Sequence, residues 1–498
     1  MRFLNRVASY VKMHGLSYTL YRAGEMASTH LFHTDDRVYR RERPDEQELA
    51  RQRACPPCEV LISIVIPAYN TKPEFLEELG DSLLRQTYPH WEACLYDGCS
   101  PREETHAALR MLAQRDSRFH VQFGEKNEGI SGNTNEAIRM AHGAYIAFCD
   151  HDDTLLPEAM WQVAKAIADE NPDVIYSDED KLSSDGGYHT DPHRKPDYCP
   201  DNLRSGNYIC HLSVIRRTLL ERVGGLRPDY DGSQDHDLML RVCEQAEHIV
   251  HIPRVLYHWR TFLQSMSHER LSVCLDAASR ATMDSMRRIG FPGTCQIENG
   301  LLRLCYEVGN FTVDTLRYHT VQDMNRLAAA STADMLLFLL DDTPAPDADG
   351  LKELQMYAQR PDVCAVTPLL QDRHGRTLHA GFIIAPNGTV SSRNRNLPAL
   401  SGGWHGMNRT SVNVCAVSPV CFLVRRAAFQ PLDESLPLAE SMVAWCIRRM
   451  KEKLYHVCTP HCLLTVSDNR LFSPFRVTVP ENWHDPCRTG ARLPSTRR

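Results

Sequence analysis

The sequence predicts an α/β protein with a mostly parallel sheet, because apolar segments of strand length alternate with segments of helical periodicity. The segment "VLISIVIP" is a continuous apolar, β-branched run, which is typical of a strand buried on both faces. An internal repeat indicates two copies of this unit: "DDT" at 152–154 recurs at 341–343, and "PDV" at 172–174 recurs at 361–363 at the same offset. The second copy lacks a counterpart of "VLISIVIPAYN", so we expect it to be truncated.

The elements of the first copy follow one another along the chain. Strands are expected at "VLISIVIP", which Pro67 should end, and at "WEACLYDG", "FHVQFG", "AYIAFC" and "DVIYS". "KPEFLEELGDSLLRQ" has the apolar spacing of a helix, and "SGNTNEAIRMAHG" predicts a helix from a Ser131 cap to Gly143. Pro157 is expected in the first turn of the helix "PEAMWQVAKAIADE". In the second copy, "TLHAGFIIAPNG" and "VSPVCFLVRRAAF" predict packed strands.

Length and composition set the expected domain count. A chain of 498 residues allows two to four domains, and 42% hydrophobic with 24% charged residues is ordinary for a globular protein with full cores. We expect an N-terminal helical or linker segment at 1–58 and a first α/β domain at 59–290. A degenerate second lobe should follow at 291–470, and an irregular tail at 471–498.

Charge and cysteine content narrow the choice of partners and compartment. A net charge of −7 gives no support for a nucleic-acid partner, and no apolar run approaches the roughly 18–20 residues of a membrane span. The N-terminal "MRFLNRVASYVKMHGLSYTLYRAG" mixes basic and apolar residues, so a helix there either packs on the protein or lies peripherally on an anionic membrane. The 18 scattered cysteines, without a secretion signal, are expected to be free thiols in a reducing cytoplasm.

Polar residues follow three of the predicted strands at the point where each strand ends. These are Pro67–Asn70, Asp97 and Asp150–Asp153. Because the carboxyl ends of parallel strands meet at one edge of a sheet, we expect them to converge on one crevice. Carboxylates in an Asp-x-Asp spacing suit Mg²⁺ or Mn²⁺, which take a few carboxylates and fill their other positions with water and phosphate oxygens.

Two further features could complete a site at this crevice. Asp235 and Asp237 open the predicted helix "QDHDLMLRV", where one carboxylate can cap the helix and the other can act as a general base. His258, in "RVLYHWR", is either a third metal ligand or an ordinary core histidine.

Several ordered segments together resemble a known family. They are "SIVIPAYN", "SLLRQTYPHWE", "NEGISGNTNEAI", "AFCDHDDTLLP", "YSDEDK", "KPDYCPDNL", "GSQDHDLMLRV" and "IPRVLYHWR". Over roughly residues 60–260 the chain resembles the family 2 glycosyltransferases, in the branch of surface-polysaccharide and rhamnosyltransferase-like proteins. The resemblance implies a GT-A fold, a nucleotide-diphosphate sugar donor and an Mn²⁺ or Mg²⁺ cofactor. It further implies inverting transfer to a hydroxyl of a lipid-linked or growing cell-surface glycan.

The resemblance also implies roles for individual residues. The implied donor-binding residues are Pro67, Tyr69, Asn70, Asp97, Asn127, Gly129, Asn135 and Asp150. Asp152 becomes the main metal ligand, His258 a metal-side histidine and Asp235 the general base. The expected acceptor-side residues are Asp178, Glu179, Gln234 and Trp259. For the first two of these, an exposed charged loop is an equal explanation. Many family members carry two acids where this chain has Asp97-Gly98. The chain therefore lacks the second acid for a contact with the base of the nucleotide.

The second copy lacks most of these groups. When "LMLR" (238–241) is aligned with "WCIR" (445–448), the chemical residues of the first copy are replaced. The aligned pairs are Asp235 with Met442, Asp237 with Ala444, and His258 with Thr465. Asp341 and Asp342 remain. We therefore expect a non-catalytic lobe that holds acceptor glycan, steadies the first lobe or mediates dimerisation.

Three alternatives make different predictions about the sequence. A nucleotidyltransferase should show a glycine-rich basic loop after its first strand, whereas "PAYNTKPEF" follows here. A catalytically weak glycan-binding protein should have lost the acids of the first copy, which are present. A processive membrane synthase should carry membrane spans and a Gln-x-x-Arg-Trp motif, and the sequence has neither. The expected location is the cytoplasm, with or without contact to the inner face of the plasma membrane.

Overall fold

The computed structural model describes residues 42–261, 271–399, 401, 408–467, 472–480 and 483–487, together with residues 11, 19, 20 and 23. Most of the predicted N-terminal helix, and the end of the predicted tail, therefore lie outside the described residues. Within the described part of the chain, no helix combines the length and the apolar character needed to cross a bilayer.

The strands alternate with helices in the first half of the chain and cluster more densely in the second. In chain order the strands are β1 (Ile62–Ala68), β2 (Trp91–Asp97), β3 (Phe119–Phe123), β4 (Tyr145–Phe148), β5 (Thr154–Leu155), β6 (Val174–Leu182), β7 (His189–His193), β8 (Ser213–Arg216), β9 (Ile249–Arg260), β10 (Gly293–Glu298), β11 (Leu301–Tyr306), β12 (Val313–Tyr318), β13 (Met335–Leu340), β14 (Val363–Gln371), β15 (Thr377–His379), β16 (Phe382–Ile384), β17 (Thr389–Ser392), β18 (Val412–Val414), β19 (Cys421–Arg425), β20 (Tyr455–Thr465) and β21 (Phe475–Arg476).

The helices of the described residues are mostly three to four turns long. In chain order they are α1 (Glu46–Ala54), α2 (Pro73–Leu84), α3 (Glu103–Arg115), α4 (Gly129–Met140), α5 (Ala159–Glu170), α6 (Pro200–Ser205), α7 (Arg217–Val223), α8 (Gln234–Gln245), α9 (Leu271–Arg288), α10 (Val321–Ala330), α11 (Ala348–Ala358) and α12 (Leu438–Lys451).

The chain divides into two compact units. The N-terminal unit contains, of the described residues, 42–198 and 207–281, and the C-terminal unit contains 199–206 and 282–487. Each unit has its own cluster of buried apolar side chains. Residues 199–206, which include α6, belong to the C-terminal unit although they lie within the sequence of the other one, and no sequence pattern predicts this.

The N-terminal unit is built on a nine-stranded sheet in the order β3-β2-β1-β4-β8-β6-β9-β5, with β7 added on β6. Strands β1 to β4 pair in parallel, as predicted. Strand β8 is antiparallel to both of its neighbours, β4 and β6, so the sheet is mixed in its second half. The predicted α/β class is confirmed. The sequence pattern misses β8 because four residues are too few to establish a periodicity.

Three element boundaries differ from the prediction. Strand β1 continues through Pro67, which lies beyond the last pairing with β4 and faces only Tyr96 of β2, so its missing N–H costs no ladder bond. Helix α4 begins at Gly129, because the Ser131 hydroxyl donates to Asp231 (2.5 Å) instead of capping, and it ends at Met140. Helix α5 begins at Ala159, beyond Pro157.

The C-terminal unit repeats part of this topology. Its main sheet has the order β12-β13-β19-β14-β20-β18, with β15 added on β14. The pairings β12–β13 and β14–β20 are parallel, and β19 is antiparallel to both neighbours. This is the pattern of β1-β4-β8-β6-β9. The expectation that the second copy has no first strand is therefore wrong: β12 holds that position, and among the described residues it is β2 and β3 that have no counterpart.

The small helix α6 is held in the C-terminal unit by a buried ion pair. Asp201 and Arg360 are both fully buried. Arg360 donates to Asp201 through Nη1 and through Nη2, and the Nη2–Oδ2 distance is 3.3 Å. Asn413 donates its side-chain amide to Asp201 (2.9 Å), while Asp362 accepts from Arg360 (2.7 Å). Because every charge in the group has a partner, the cost of burying the charges is offset.

The cysteines are free thiols, as the sequence predicts. All 18 are reduced, including Cys55 and Cys58 of the Cys-Pro-Pro-Cys segment. The Cys58 sulfur lies 3.5 Å from the Tyr88 hydroxyl, so this thiol takes part in the packing of the N-terminal unit.

Two buried histidines make the stability of the C-terminal unit depend on pH. Burial lowers the pKa of His379 to about 3 and that of His456 to about 4. In the unfolded chain both bind a proton near pH 6.5. The folded unit thus binds fewer protons between pH 6.5 and 4, and its free energy of unfolding should fall as the pH is lowered through this range, by about 1.4 kcal/mol per pH unit for each histidine.

Urea unfolding of the full chain at several pH values between 7.5 and 4.5 checks this expectation. His379→Gln should reduce the pH slope, whereas His374→Gln, at an exposed position, should leave it unchanged. A slope that is the same in both variants and the wild type would rule out the His379 imidazole as one of its sources.

Candidate active site

The edge of the sheet after β1 carries two of the predicted donor-binding residues. The Tyr69 side chain is 42% exposed. Asn70 has a left-handed backbone conformation (φ 52°), which its N–H stabilises by donating to the Ser100 hydroxyl (2.8 Å). Within the described residues, the side-chain oxygen of Asn70 is buried and has no hydrogen-bond partner. A polar atom in this state is ready to accept from a ligand.

Asp97, at the end of β2, is held from within the protein. The Ser100 N–H and hydroxyl donate to its two oxygens (2.9 and 2.5 Å), and His106 Nε2 lies 3.1 Å from Oδ2. The carboxylate is fully buried. Asp97 therefore fixes the Ser100 loop against Asn70. The sequence analysis identified neither Ser100 nor His106.

Hydrogen bonds of the Asn127 side chain fix the segment before α4. The Asn127 side-chain oxygen accepts from the Gly129 N–H and from the Asn133 amide, both at 3.0 Å. Gly129 has φ +77°, and a Cβ at this position would lie 2.8 Å from the Asp231 carboxylate. Both facts require glycine there. Asn133, which the sequence analysis did not single out, links this segment to the loop after β2, where a Cβ on Gly98 would collide with it.

Asn135 has both ends of its side chain occupied. Its amide donates to the Leu226 carbonyl and its oxygen accepts from the Leu226 N–H, each at 2.9 Å. This pairing fixes the turn at Gly225 and Leu226, which leads toward α8. Asn135 thus positions backbone, and its predicted donor-binding role stays a prediction.

Residues 150–153, which we call the acid loop, are tied to the end of β9. Asp153 is fully buried, and it accepts from the Tyr257 hydroxyl (2.5 Å) and the Arg260 N–H (2.6 Å). The Tyr257 oxygen also accepts from the Asp150 N–H (3.0 Å), and Arg260 Nε donates to the Asp152 carbonyl (2.7 Å). Asp153 is therefore the structural acid of the loop, while the Asp150 and Asp152 carboxylates keep partial solvent access.

The three carboxylates of the acid loop repel one another. Burial is the main cause that raises the pKa of Asp152, and the charge of Asp150 adds to it, while His151 opposes it. Burial raises the pKa of Asp153 well above its usual value, again with help from Asp150 and Asp152. A bound cation would relieve this repulsion, and carboxylate oxygens are the ligands that Mg²⁺ and Mn²⁺ prefer. The residues present thus fit a hard divalent ion.

The first turn of α8 separates the two acids that the sequence could not distinguish. Asp237 is fully buried and forms ion pairs with Arg227 and Arg241. Asp235 is partly exposed and accepts from the Asn207 side chain (3.0 Å). Neither acid caps the helix, whose N-cap is Ser233. Asp237 is structural, and Asp235 is the carboxylate with access to solvent.

A short segment links Asp235 to the acid loop. The Asn207 side-chain amide donates to Asp235. Cys210 lies near the same carboxylate: burial raises the pKa of its thiol, and the negative charge of Asp235 raises that pKa further. The next residue, His211, stacks on the Tyr257 ring at 4.9 Å between centroids. Tyr257 in turn holds Asp153. Residues 207–211 therefore connect Asp235, which Asn207 contacts, with Tyr257 and the acid loop, which His211 adjoins.

Glu179 lies in strand β6 and not in an exposed loop. It is nearly fully buried, with Lys195 Nζ at 3.2 Å and His193 Nδ1 at 3.3 Å, and it accepts from the His211 N–H. Burial by itself raises the pKa of Glu179, but the charge of Lys195 and the two histidines outweigh it and lower the pKa to about 2. The glutamate is ionised and holds His211 in place.

Asp178 is also buried in β6. It accepts from the Lys195 N–H (2.9 Å), lies 3.0 Å from His251 Nε2 and pairs with Arg194. The explanation of Asp178 and Glu179 as members of a charged surface loop is therefore wrong, since both are saturated with buried partners. Their predicted acceptor-side role remains untested.

The other predicted residues lie on or near β9 and α8. Trp259 is half-buried, with its ring 5.9 Å from that of His211. The Gln234 side chain accepts from the Gly232 N–H (2.9 Å) and so shapes the turn before Asp235. His258 is buried, and its Nδ1 lies 2.6 Å from Asp180. The structure places His258 with Asp180, whereas Tyr257 and Arg260 contact the acid loop.

Comparison with known proteins agrees with this architecture. Residues 63–224 match the family described as glycosyl transferase family 2. The uncharacterized protein y4gI of Sinorhizobium fredii (strain NBRC 101917 / NGR234) is 32% identical over an alignment of 475 residues that covers 80% of this chain and 52% of that protein. The O-antigen biosynthesis protein RfbC of Myxococcus xanthus is 30% identical over 470 residues, covering 80% of this chain and 36% of that protein.

The chain thus spans about half, or less, of the length of these relatives. Among solved structures, S. aureus TarS 1–349 in complex with UDP-GlcNAc is similar at 17% identity with a TM-score of 0.38, over 45% of this chain and 66% of that one. On the family match, residues 63–224 of the N-terminal unit form a family 2 glycosyltransferase domain.

The Tyr257 hydroxyl is expected to contribute measurably to stability. Tyr257→Phe removes the donor to a buried carboxylate and the acceptor for the Asp150 N–H, so the free energy of unfolding should fall by about 1–3 kcal/mol. Tyr145→Phe is a matched control, because that hydroxyl is also buried but donates to a neutral carbonyl of Pro172 (2.7 Å). Urea unfolding compares the two. Equal losses would show that the bond to Asp153 has no special weight.

Proposed function

We propose that the N-terminal unit transfers a sugar from a nucleotide-diphosphate donor to a hydroxyl of a glycan acceptor, with inversion at the anomeric carbon. The observation that carries this proposal is the chain of contacts from Asp235 through His211 and Tyr257 to the acid loop. These contacts connect one partly exposed carboxylate to the loop that carries the two carboxylates suited to a metal ion, which supports the proposal. The family match over residues 63–224 supports the class of reaction.

In this proposal the nucleotide lies along the ends of β1 and β2. The exposed Tyr69 ring offers a surface on which a base can stack, and the Asn70 oxygen offers a hydrogen-bond acceptor. Asp97 acts by holding Ser100, and through it the backbone of Asn70, in position. Asn127 holds Gly129 at the start of α4, and Asn133 joins this segment to Gly98 in the loop after β2.

The diphosphate end of the donor would lie at the acid loop. Asp150 and Asp152 would hold the divalent ion, which, when bound, neutralises charge on the departing diphosphate. Asp153 stays out of the coordination sphere, because Tyr257 and the Arg260 N–H already occupy its oxygens. The protein's own contribution here is the fixed position of the loop.

Asp235 would act as the general base. It takes the proton of the acceptor hydroxyl as that oxygen forms a bond to the anomeric carbon, and the bond from this carbon to the diphosphate oxygen breaks on the opposite side. The Asn207 amide, which donates to Oδ2, orients the carboxylate for this step. A single base and a leaving group on opposite sides require no covalent intermediate.

The acceptor we propose is a lipid-linked or growing surface glycan. A relative over most of the chain is named as an O-antigen biosynthesis protein. We further propose that the C-terminal unit does not catalyse transfer, because buried Met442 stands at the position aligned with Asp235. Its remaining acids, Asp341 and Asp342, are exposed. In this proposal the C-terminal unit holds the acceptor glycan for the N-terminal unit.

Asp235→Asn tests the base. A panel of nucleotide sugars and glycan acceptors first identifies a transferring pair, and the variant should then lose transfer by at least about 100-fold while still binding the donor. Glu244→Gln, on the same helix, is the control and should transfer normally. Transfer that persists in Asp235→Asn would refute the assignment of the base.

Chelation and Asp152→Asn test the metal. EDTA should stop transfer, and Mn²⁺ or Mg²⁺ should restore it in the wild type but only at much higher concentration in Asp152→Asn. Asp169→Asn changes an exposed acid on α5 and should behave as the wild type. If transfer proceeds unchanged in EDTA, the role proposed for Asp150 and Asp152 is incorrect.

A further inference from the structure

A second group of metal-binding side chains lies in the N-terminal unit, outside the acid loop. It consists of Asp180 on β6, His189 on β7 and His258 on β9. The sheet register brings them together, because Asp180 is the parallel neighbour of His258 and β7 pairs antiparallel with β6 at Leu182–His189. The consecutive strands β6 and β7 and the more distant strand β9 thus each supply one ligand-type residue to one place.

The geometry of this group is that of a compact site. His258 Nδ1 lies 2.6 Å from Asp180 Oδ1, and His189 Nδ1 lies 3.1 Å from Asp180 Oδ2. The two imidazole rings are 4.4 Å apart at an interplanar angle of 63°. One donor atom from each residue lies within 4.8 Å of the others. Small side-chain rotations therefore allow all three to reach one ion at bond lengths of about 2.0–2.2 Å.

The group is buried, yet it has access to a cavity. Asp180 and His258 are 2% and 4% exposed. His189 and His258 line a cavity of about 470 Å³ whose other walls include Glu78 and Asp185. An ion held from the strand side would keep a coordination position open to this cavity for water or a small ligand.

We propose that Asp180, His189 and His258 bind one divalent transition-metal ion of the zinc class, with an exchangeable position that faces the cavity. Two imidazoles and one carboxylate favour Zn²⁺, Co²⁺ or Fe²⁺ over Mg²⁺, which prefers oxygen ligands. This site is separate from the acid loop and goes beyond the proposed transfer reaction. The ion would clamp β6, β7 and β9.

The position of His258 gives the ion a consequence for the acid loop. His258 faces Thr154 in the β5–β9 pairing, and Thr154 directly follows the loop. An ion on His258 would therefore stiffen the strand pair from which the loop emerges. The metal here acts on structure, whereas the ion proposed for Asp150 and Asp152 acts on the donor.

Cobalt titration of the chelator-stripped full chain tests the proposal. One equivalent of Co²⁺ should produce visible d–d absorption more intense than that of aqueous Co²⁺, as four- or five-coordinate imidazole sites do, and Zn²⁺ should bleach it. His189→Ala and Asp180→Asn should lose this absorption. Zn²⁺ should also raise the melting temperature of the wild type but not of these variants.

Two controls separate this site from other metal binding. His248→Ala removes an exposed histidine of the same unit, and Asp152→Asn removes the acid-loop ligand; both should keep the cobalt absorption. A wild-type spectrum like that of aqueous Co²⁺ would overturn the proposal whether or not the variants fold. So would absorption that survives in His189→Ala and Asp180→Asn, or absorption lost in Asp152→Asn. None of these outcomes depends on sugar transfer.

Discussion

The candidate site depends on one interaction, the hydrogen bond from the Tyr257 hydroxyl to the buried carboxylate of Asp153. A carboxylate removed from water needs strong donors, and this one has the hydroxyl and the Arg260 N–H. Because these donors turn Asp153 inward, Asp150 and Asp152 are left as the loop's accessible acids. His211 stacks on the Tyr257 ring. Four residues before His211, Asn207 donates to Asp235. The acid loop and the segment that carries Asn207 and His211 therefore both depend on Tyr257.

The C-terminal unit illustrates what happens without that anchor. Its strands keep the order and directions of the first unit, because such a sheet needs only apolar strands of the right length. At the aligned positions Leu464 replaces Tyr257, and Asp342 replaces Asp153. Asp342 is exposed, and the preceding Asp341 pairs with His319 at the surface. The fold and the candidate site therefore depend on different residues. The apolar pattern preserves the sheet, whereas a few polar pairs determine whether the loop after β4, or its counterpart after β13, has a buried acid.

This separation explains what the sequence could predict. The strands at "VLISIVIP", "WEACLYDG" and "AYIAFC" follow from local apolar runs, and so does their shared edge. The choice between Asp235 and Asp237 follows only in part. Arg241 lies one turn after Asp237 on the same helix, but the contacts of Arg227 with Asp237 and of Asn207 with Asp235 come from outside that helix. A charged loop stayed an equal explanation for the acids of β6 because the sequence does not show that Lys195 lies beside Glu179. Local pattern cannot contain partners that tertiary structure supplies.

Strand β9 shows how one local rule organises two polar centres. Successive side chains of a strand point to opposite faces, so Tyr257 and Trp259 share one face and His258 the other. The first face holds His211 and the Asp153 carboxylate, and the second holds Asp180 and His189. Since a slip of one residue in register would exchange the faces, the pairing of β9 with β6 fixes both centres at once. The motif "LYHW" serves two different sites because alternate residues face opposite sides of one sheet.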